Sequence, residues 1–243
     1  MDLELISMQN QKWLKNRWNT LRRWYVDEFC FNYIAHLPVG TNVLDLGGHK
    51  IKPAGSFNIS SFNFNKCCLN INSEKGADIV GDGAAIPLKT ESFECVVLSE
   101  VLEHVRAPQN VMKEVHRVLK PNGKVFITVP FMYRIHADPY DYGRYTDQFW
   151  KELLNDLGFK IVILERHGAF WSVLLDPIRI AWAIHNKNNT HIYTRVFGWI
   201  IYKMTTWAIL KDKEVDQSFQ KYYSSFTTGF GIVAEKYHPA TQN

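Results

Sequence analysis

The most constraining feature of the sequence is an apolar run that ends in an acidic residue and two glycines, Val43-Leu44-Asp45-Leu46-Gly47-Gly48. Apolar side chains at successive positions are typical of a strand that is buried on both faces of a parallel sheet. Glycines directly after such a strand let a ligand approach the backbone closely, because they carry no Cβ atom. Ligands of open α/β sheets bind beyond the carboxyl ends of the strands. The run therefore predicts a ligand-binding edge at Asp45, Gly47 and Gly48.

A pyrophosphate-binding loop is disfavoured at this turn. Such a loop needs a GxGxxG pattern that leads into a helix N-terminus, where backbone N–H groups face the phosphates. The chain has Gly47-Gly48-His49-Lys50 instead. A tight turn without a ligand remains open as an explanation of the glycine pair taken alone.

Further strands follow the first and alternate with helical patterns. We predict strands at 42–46, 66–71, 78–81, 93–99, 123–129, 159–164 and 229–235. One helix is predicted to open at Ala107-Pro108 and to end before the turn at 120–123, and another to run from Thr146-Asp147 to Gly158. Strand–helix alternation implies right-handed crossovers. The pattern therefore predicts a Rossmann-like, doubly wound α/β fold with a mainly parallel, seven-stranded sheet and helices on both faces.

The length of 243 residues suits one α/β domain with additions. We expect residues 1–40 to form an N-terminal helical extension, 41–237 the domain and 238–243 a tail. The interval at about 168–226 is too long for a connection between strands and predicts a helical insertion before the last strand. Within it, Asp176-Pro177 is expected to cap one helix, and 194–210 to form a second helix with a wide apolar face.

Charge and cysteine content exclude some classes of protein. The formal net charge of +4 is too small to indicate a nucleic-acid partner, and no known nucleic-acid module is present in the sequence. The four cysteines form neither a CxxC pair nor a disulfide-like framework, which predicts reduced thiols in a cytoplasmic protein. We expect no secretory signal in the opening MDLELI, and no apolar run reaches the roughly 20 residues of a membrane span.

Polar residues also end the next predicted strands. Asn70 and Asn72 lie at the end of the second strand, where a ribose hydroxyl would be bound, and Asp82-Gly83 follows the third. A carboxylate at the latter position can accept a hydrogen bond from an adenine amino group.

Four segments in this order resemble class I S-adenosylmethionine-dependent methyltransferases: VLDLGG, VGDGAAIPL, SFECVVLSEVLEHV and EVHRVLKPNGKVFITVPF. The chain is most similar to the small-molecule branch with the EVLEHV signature (methyltransferase type 11), over about residues 41–159. The resemblance implies S-adenosylmethionine as the cofactor. It also implies these contacts: Asp45, Gly47 and Gly48 with the methionine part, Asn70 or Asn72 with the ribose, Asp82 and Gly83 with the adenine, and Ser99 in the pocket wall.

A dense group of His, Asp, Arg and Tyr follows the strand at 123–129, in PFMYRIHADPYDYGRYT (130–146). It resembles the HxDPxDxxRYT loop of methyltransferases linked to surface-polysaccharide or other glycan pathways. We expect the following roles: His136 as the general base, His104 as the second candidate, Asp141 as the group that orients the histidine, and Tyr133, Arg144 and Tyr145 as acceptor-binding residues.

Structural explanations of the same loop stay open. Asp141 and Arg144 would then form an ion pair that only holds the loop, and His104 would pack or cap. We assign no metal site, because the spacing of His136, Asp138 and Asp141 does not by itself establish one.

The predicted function is O-methylation of a small-molecule or glycan intermediate. One alternative is methylation of a quinone or lipid-like acceptor at the membrane surface. Another is a non-catalytic binding protein with a methyltransferase fold, since an amide at the ribose position lacks the charge of a carboxylate. The helix at 194–210 suits a lid, a homodimer contact, or a peripheral contact of 171–210 with the inner membrane surface.

Overall fold

The structure, a computed structural model, describes residues 20–51, 55–137, 139–187, 191–214 and 222–237. These residues contain the following strands: β1 (Asn42–Leu46), β2 (Asn65–Asn70), β3 (Ile79–Val80), β4 (Phe93–Ser99), β5 (Leu119–Pro130), β6 (Phe159–His167) and β7 (Gly229–Lys236). They contain the following longer helices: α1 (Leu21–Tyr33), α2 (Pro108–Val118), α3 (Asp147–Asp156), α4 (Phe170–His185) and α5 (Ile192–Lys213).

The strands form one sheet in the order β3-β2-β1-β4-β5-β7-β6. The strands β3, β2, β1, β4 and β5 pair in parallel, whereas β7 is antiparallel to both of its neighbours. The strand order reverses between β1 and β4, so the carboxyl ends of these two strands flank the crevice where ligands bind in such folds. The predicted doubly wound, mainly parallel, seven-stranded fold is confirmed.

Both faces of the sheet are buried because alternate strand residues point to opposite sides. Leu44 and Val96 pack with α2 and α3 in one core, whereas Val43 and Val97 pack with α1 in another. All four side chains are at most 4% exposed. The uninterrupted apolar runs of β1 and β4 are thus explained by burial on two faces, and the predicted bounds of both strands are confirmed.

The predicted turn at 120–123 lies inside a strand, which corrects the predicted start of β5. The helix α2 begins at Pro108 as expected and ends at Val118, and β5 then runs from Leu119. The pairing of β5 with β4 is irregular between Phe93 and Cys95, and Asn122 has a φ of 61°. The proline and glycine here therefore mark a bulge rather than a break between elements.

The first helix of the insertion begins earlier than expected. We expected Asp176-Pro177 to cap it, but α4 starts at Phe170 and contains Pro177 in its interior. The carboxylate of Asp212 in α5 accepts from the backbone N–H groups of Ala169, Trp171 and Ser172 and so fixes that start. A partner so distant in sequence cannot be read from local capping signals.

The insertion also holds the N-terminal helix. The Asp176 carboxylate accepts a hydrogen bond from the backbone N–H of Leu21 at 2.7 Å, at the first turn of α1. Of the predicted extension at 1–40, residues 1–19 lie outside the described residues, as does the predicted tail at 238–243. Among the helices that the structure describes, none has both the length and the apolar character that a bilayer crossing requires.

Candidate active site

A cavity of about 270 Å³ opens at the carboxyl ends of β1 and β4. Its walls come from the glycine turn after β1, the segment after β4, the helix α1, the loop around Phe57 and the loop after β5. The residues that line it include Arg23, Val26, Asp27, Asp45, Gly47, Gly48, Phe57, Ile59, Ser99, Glu100, His104 and His136. The cavity therefore brings together the glycine turn and both predicted histidines.

The turn after β1 accepts only glycine at two successive positions. Gly47 has a φ of 83°, and a Cβ atom there would crowd the side chain of Val101. A Cβ atom on Gly48 would overlap the carboxylate of Asp45. The Asp45 carboxylate occupies the space that the missing side chain of Gly48 leaves, and Asp45 lines the cavity.

Charged groups of both signs line this part of the cavity. Burial raises the pKa of Asp45 to about 6, an effect that the nearby charge of Lys50 opposes. Burial also raises the pKa of Asp27 to about 6, although its carboxylate accepts from the backbone N–H of Ser56 at 2.6 Å. Arg23 adds a guanidinium to the same wall. Near neutral pH the wall therefore carries two carboxylates and one fixed positive charge.

Asn70 holds the glycine turn in place, a role that was not expected. Its side-chain amide donates to the carbonyl oxygens of Gly47 and Gly48 at 3.0 and 2.9 Å, and its Oδ1 atom accepts from the backbone N–H of Asn72. Both amide hydrogens are thus used within the protein, and Asn70 braces the glycine turn. The Oδ1 atom has a second lone pair, so a contact of Asn70 with a ribose hydroxyl stays a prediction.

The other residues that we expected to bind adenosine do not line the cavity. The Oδ1 atom of Asn72 accepts from the backbone N–H of Glu74, and the Oδ1 atom of Asp82 accepts from that of Ala84. Gly83 lies against Leu46 at the end of β1. The structure thus places Asn72, Asp82 and Gly83 on the strand ends next to the glycine turn, and their contacts with adenosine stay predictions.

Ser99 and Glu100 close the carboxyl end of β4. The Oγ atom of Ser99 lies 3.1 Å from the Oγ1 atom of Thr128 on β5, and both Ser99 and Glu100 line the cavity. Glu100 has a φ of 57° and pairs with Arg22 of α1. Burial opposes its ionisation, but the charge of Arg22 outweighs burial and holds the pKa of Glu100 at about 2.

His104 and His136 meet at the far wall of the same cavity. Their ring centroids are 5.0 Å apart, and the Nε2 atom of each ring faces the carboxylate of Glu103 at 3.6 and 3.7 Å. Burial and, after it, the negative charge of Glu100 together raise the pKa of Glu103 to about 8. Burial lowers the pKa of His136 below its usual value.

The loop after β5 is held by an ion pair between Asp141 and Arg144. The guanidinium donates to both carboxylate oxygens at 2.5 and 2.7 Å, which holds the pKa of Asp141 at about 2. The same carboxylate accepts from the backbone N–H of His136 at 2.8 Å and lies 3.4 Å from its Nδ1 atom. Asp141 therefore has both roles that were considered: it pairs with Arg144 and orients His136.

The predicted acceptor-binding residues are not part of the cavity lining. Tyr133 packs edge-on against His136 at a centroid distance of 5.3 Å. Tyr145 stacks on Phe149 of α3 at 4.2 Å, so its ring belongs to the core. Of the loop after β5, His136 is the residue that lines the cavity, and Asp138 lies outside the described residues.

Sequence reasoning missed several residues of the site. Glu103 is part of the EVLEHV segment, but its meeting with His136 depends on how the later loop folds back. Arg23 and Asp27 come from α1, and Phe57 from the loop before β2, and neither segment carries a motif. The sequence offered one signal for Glu103, which is that this acidic residue directly precedes His104 in an apolar segment.

The residues that line the cavity fit the chemical groups of S-adenosylmethionine. Carboxylates at Asp27, Asp45 and Glu100 suit the ammonium and sulfonium charges of S-adenosylmethionine, and the Arg23 guanidinium suits its carboxylate. The glycine turn admits a ligand close to the backbone. Apolar side chains at Phe57 and Ile59 complete the wall.

Comparison with known proteins agrees with this chemistry. The family model described as a methyltransferase domain matches residues 58–127. A demethylmenaquinone methyltransferase of Lactobacillus johnsonii is 30% identical over 106 residues, which are 40% of this chain and 43% of that enzyme. An uncharacterised protein of Methanocaldococcus jannaschii is 28% identical over 138 residues, which are 51% of this chain and 67% of the archaeal protein.

A solved structure shows the same fold. Phosphoethanolamine N-methyltransferase 2 of Haemonchus contortus, in complex with S-adenosyl-L-methionine, superposes with a TM-score of 0.54 at 14% identity. The superposition covers 88% of this chain and 52% of that one. The chain thus spans about half of the length of the worm enzyme and less than half of the menaquinone enzyme.

Proposed function

Because the chain belongs to the class I S-adenosylmethionine-dependent methyltransferases, we propose that it transfers a methyl group to a hydroxyl oxygen of a small acceptor, with a sugar or glycan intermediate as the acceptor class. The supporting observation is that two histidines border the same cavity as Asp45 and the glycine turn. The cofactor supplies an electrophilic methyl group on a sulfonium when bound. The chain must then align an acceptor oxygen and help to remove its proton.

The residues of the cavity divide these tasks. Asp45, Gly47 and Gly48 hold the amino-acid end of the cofactor, together with Arg23 of α1. We assign the activation of the acceptor hydroxyl to the far wall, where His136 is the first candidate and His104 the second. Asp141 orients His136 through the backbone N–H and the ring Nδ1 atom.

The polar side chains that surround His136 in the loop after β5, outside the cavity lining, support a hydroxyl-rich acceptor. The loop after β5 presents Tyr133, Arg134 and Arg144 around His136, and the Arg134 guanidinium lies over the Tyr133 ring at 5.8 Å. Aromatic rings and guanidinium groups suit the faces and hydroxyls of sugars and any acidic or phosphate group attached to them.

A lipid-linked or quinone acceptor is the second candidate, and the surface of α5 favours it. One side of α5 packs inward through Ile201, Thr205 and Ala208. The other side exposes a row of large apolar side chains: Val196, Phe197, Trp199, Ile200, Met204, Trp207 and Leu210, each at least 40% exposed. Such a face suits the surface of a membrane.

An acceptor screen tests the proposal. Release of S-adenosylhomocysteine would be measured with the full chain, S-adenosylmethionine, and separate pools of nucleotide sugars, lipid-linked glycans and quinones. The proposal expects turnover with a hydroxylated sugar pool, reduced by at least about a hundredfold in His136→Ala. The exposed His36 gives the matched control, His36→Ala, with unchanged turnover. Turnover with quinones alone would favour the second candidate and overturn the first.

A further inference from the structure

Side chains of the kinds that bind metals converge at the far wall of the cavity. The Nε2 atoms of His104 and His136 lie 3.6 and 3.7 Å from the Oε1 atom of Glu103. All three ligand atoms lie within 4.8 Å of one another. These separations are too long for hydrogen bonds. They are near the spacing expected of atoms that share one metal ion at about 2.0–2.2 Å from each.

The other ring nitrogen of each histidine is already engaged. The Nδ1 atom of His104 lies 2.6 Å from the carbonyl oxygen of Tyr140, which can only accept, so this nitrogen carries the proton. The Nδ1 atom of His136 lies 3.2 Å from the carbonyl oxygen of Arg134 and 3.4 Å from the Asp141 carboxylate. Arg144 approaches the same nitrogen at 3.5 Å, which is the longest of these contacts. In the neutral tautomer that these Nδ1 contacts favour, each ring presents an Nε2 lone pair towards Glu103, as metal-bound imidazoles do.

No other residue that the structure describes donates a hydrogen bond to the Glu103 side chain. Its side chain is 1% exposed, and both of its carboxylate oxygens are buried without a hydrogen-bond partner among the described residues. A buried carboxylate without a partner is strongly unfavourable. Two ring lone pairs and the acidic group of Glu103 therefore face each other, and one bound cation, either a proton or a metal ion, would satisfy all three.

We propose that Glu103, His104 and His136 form a binding site for one divalent transition-metal cation. Two imidazoles and one carboxylate are a ligand set of zinc enzymes and of non-haem iron sites, and this set leaves coordination positions open. His104 and His136 line the cavity, so the open positions face it and would take water or an acceptor oxygen. The site goes beyond the proposed function: with the cation bound, the Nε2 atom of His136 is a ligand, and the cation in place of the ring would lower the pKa of an acceptor hydroxyl bound to it.

The test uses Co²⁺ as a spectroscopic probe of the full chain after removal of any affinity tag. The proposal expects visible d–d bands that saturate at one Co²⁺ per chain and that Zn²⁺ displaces. It also expects Glu103→Gln, His104→Ala and His136→Ala to weaken Co²⁺ binding by at least tenfold each. Asp141→Asn, which loosens the hold on His136, should weaken it by roughly 10- to 100-fold. His36→Ala is the matched control and should bind Co²⁺ as the parent chain does.

Two results would overturn the proposal. One is Co²⁺ binding that is absent, or equal in the parent chain and the Glu103 and His136 variants. The other is an infrared band of a protonated carboxyl group that disappears in Glu103→Gln and persists with excess Zn²⁺, which would show a proton where the metal is expected. Melting of the parent chain with Zn²⁺ and with chelator needs no variant and should show higher stability with Zn²⁺. Calorimetry with S-adenosylhomocysteine keeps failure of the metal site distinct from failure of cofactor binding.

Discussion

Arg22 and Glu100 form a buried, two-pronged ion pair that joins α1 to the carboxyl end of β4. The side chain of Arg22 is 2% exposed and that of Glu100 is 11% exposed. The pair places α1 against the strand ends, so that Arg23 and Asp27 of the same helix can line the cavity. The closure of the cavity therefore depends on a contact between two residues far apart in sequence.

Removal of the Glu100 charge should destabilise the fold. Glu100→Gln would leave the Arg22 guanidinium buried with reduced compensation, and the loss of one partner of a buried pair costs about 3–5 kcal/mol. We expect that decrease in the free energy of unfolding, measured by urea denaturation. The exposed pair of Lys211 and Glu214 gives the control, since Glu214→Gln should change stability by less than about 1 kcal/mol. Equal effects of the two variants would contradict this assignment.

Acid should destabilise the same region through His167. Burial lowers the pKa of His167 to about 4, and its Nδ1 atom accepts from Arg22, so the neutral ring is the folded form. The unfolded ring titrates near pH 6.5. The stability that this neutral ring contributes is therefore present above about pH 6.5 and is lost as the pH falls towards 4.

The measurement is the free energy of unfolding as a function of pH for the parent chain and His167→Gln. We expect the difference between the two to shrink by about 3 kcal/mol between pH 6.5 and pH 4. Taking the difference between the two proteins cancels the contributions of other buried acids, such as Asp27 and Asp176, because both proteins contain them. A difference that stays constant with pH would show that His167 does not titrate in this way.

A methyl group at the glycine turn should weaken cofactor binding without unfolding the chain. In Gly48→Ala the new Cβ atom displaces the Asp45 carboxylate from the cavity wall. We expect the dissociation constant of S-adenosylmethionine, measured by equilibrium dialysis, to rise by about tenfold or more, which corresponds to about 1.4 kcal/mol. Unchanged affinity in a folded Gly48→Ala protein would remove Asp45 and the turn from the binding site.

Cofactor affinity should fall in mild acid because Asp45 must be ionised to attract a cation. Its pKa of about 6 follows from burial, against which the charge of Lys50 acts. We expect S-adenosylmethionine to bind several-fold more weakly at about pH 5 than at about pH 7.5, since protonation removes the charge on Asp45. Asp45→Asn should bind weakly at both pH values and lose most of this dependence. The same pH profile in Asp45→Asn would assign the titration to another group, with Asp27 first among them.

The exposed face of α5 predicts binding to anionic vesicles if the acceptor is lipid-linked. Trp199 and Phe197 are 59% and 52% exposed, and Lys203 lies over the Trp199 ring at 5.6 Å. We expect Trp199→Glu to abolish flotation with vesicles that contain anionic lipid, because it places a charge in the apolar contact. Val162 on β6 is 51% exposed and gives the matched control, Val162→Glu, which should float as the parent does. Recovery of the parent chain only in the unbound fraction would exclude this surface role.

Local patterns predicted the elements whose burial is determined by the sheet itself. The bounds of β1 and β4 follow from apolar runs that are buried on both faces, and the start of α2 follows from Pro108 at its first turn. The start of α4 could not be predicted, because its capping group is the carboxylate of Asp212 from another helix. Tertiary contacts override local propensity at such positions.

The same distinction applies to the site. The acid–glycine turn predicted Asp45, Gly47 and Gly48, all of which line the cavity. The internal role of Asn70 could not be predicted, since it depends on two carbonyl oxygens that the turn itself presents. The position of a residue at the end of a strand indicates where its side chain lies, but it does not determine which group that side chain contacts.

The central claim is that the cavity between β1, β4 and α1 binds the cofactor. Calorimetric titration of S-adenosylhomocysteine into the folded full chain tests it most directly. The account predicts saturable, one-to-one binding that Gly48→Ala weakens by about tenfold or more. Absence of binding heat at several temperatures up to millimolar ligand, with near-ultraviolet dichroism showing an ordered protein, would contradict it.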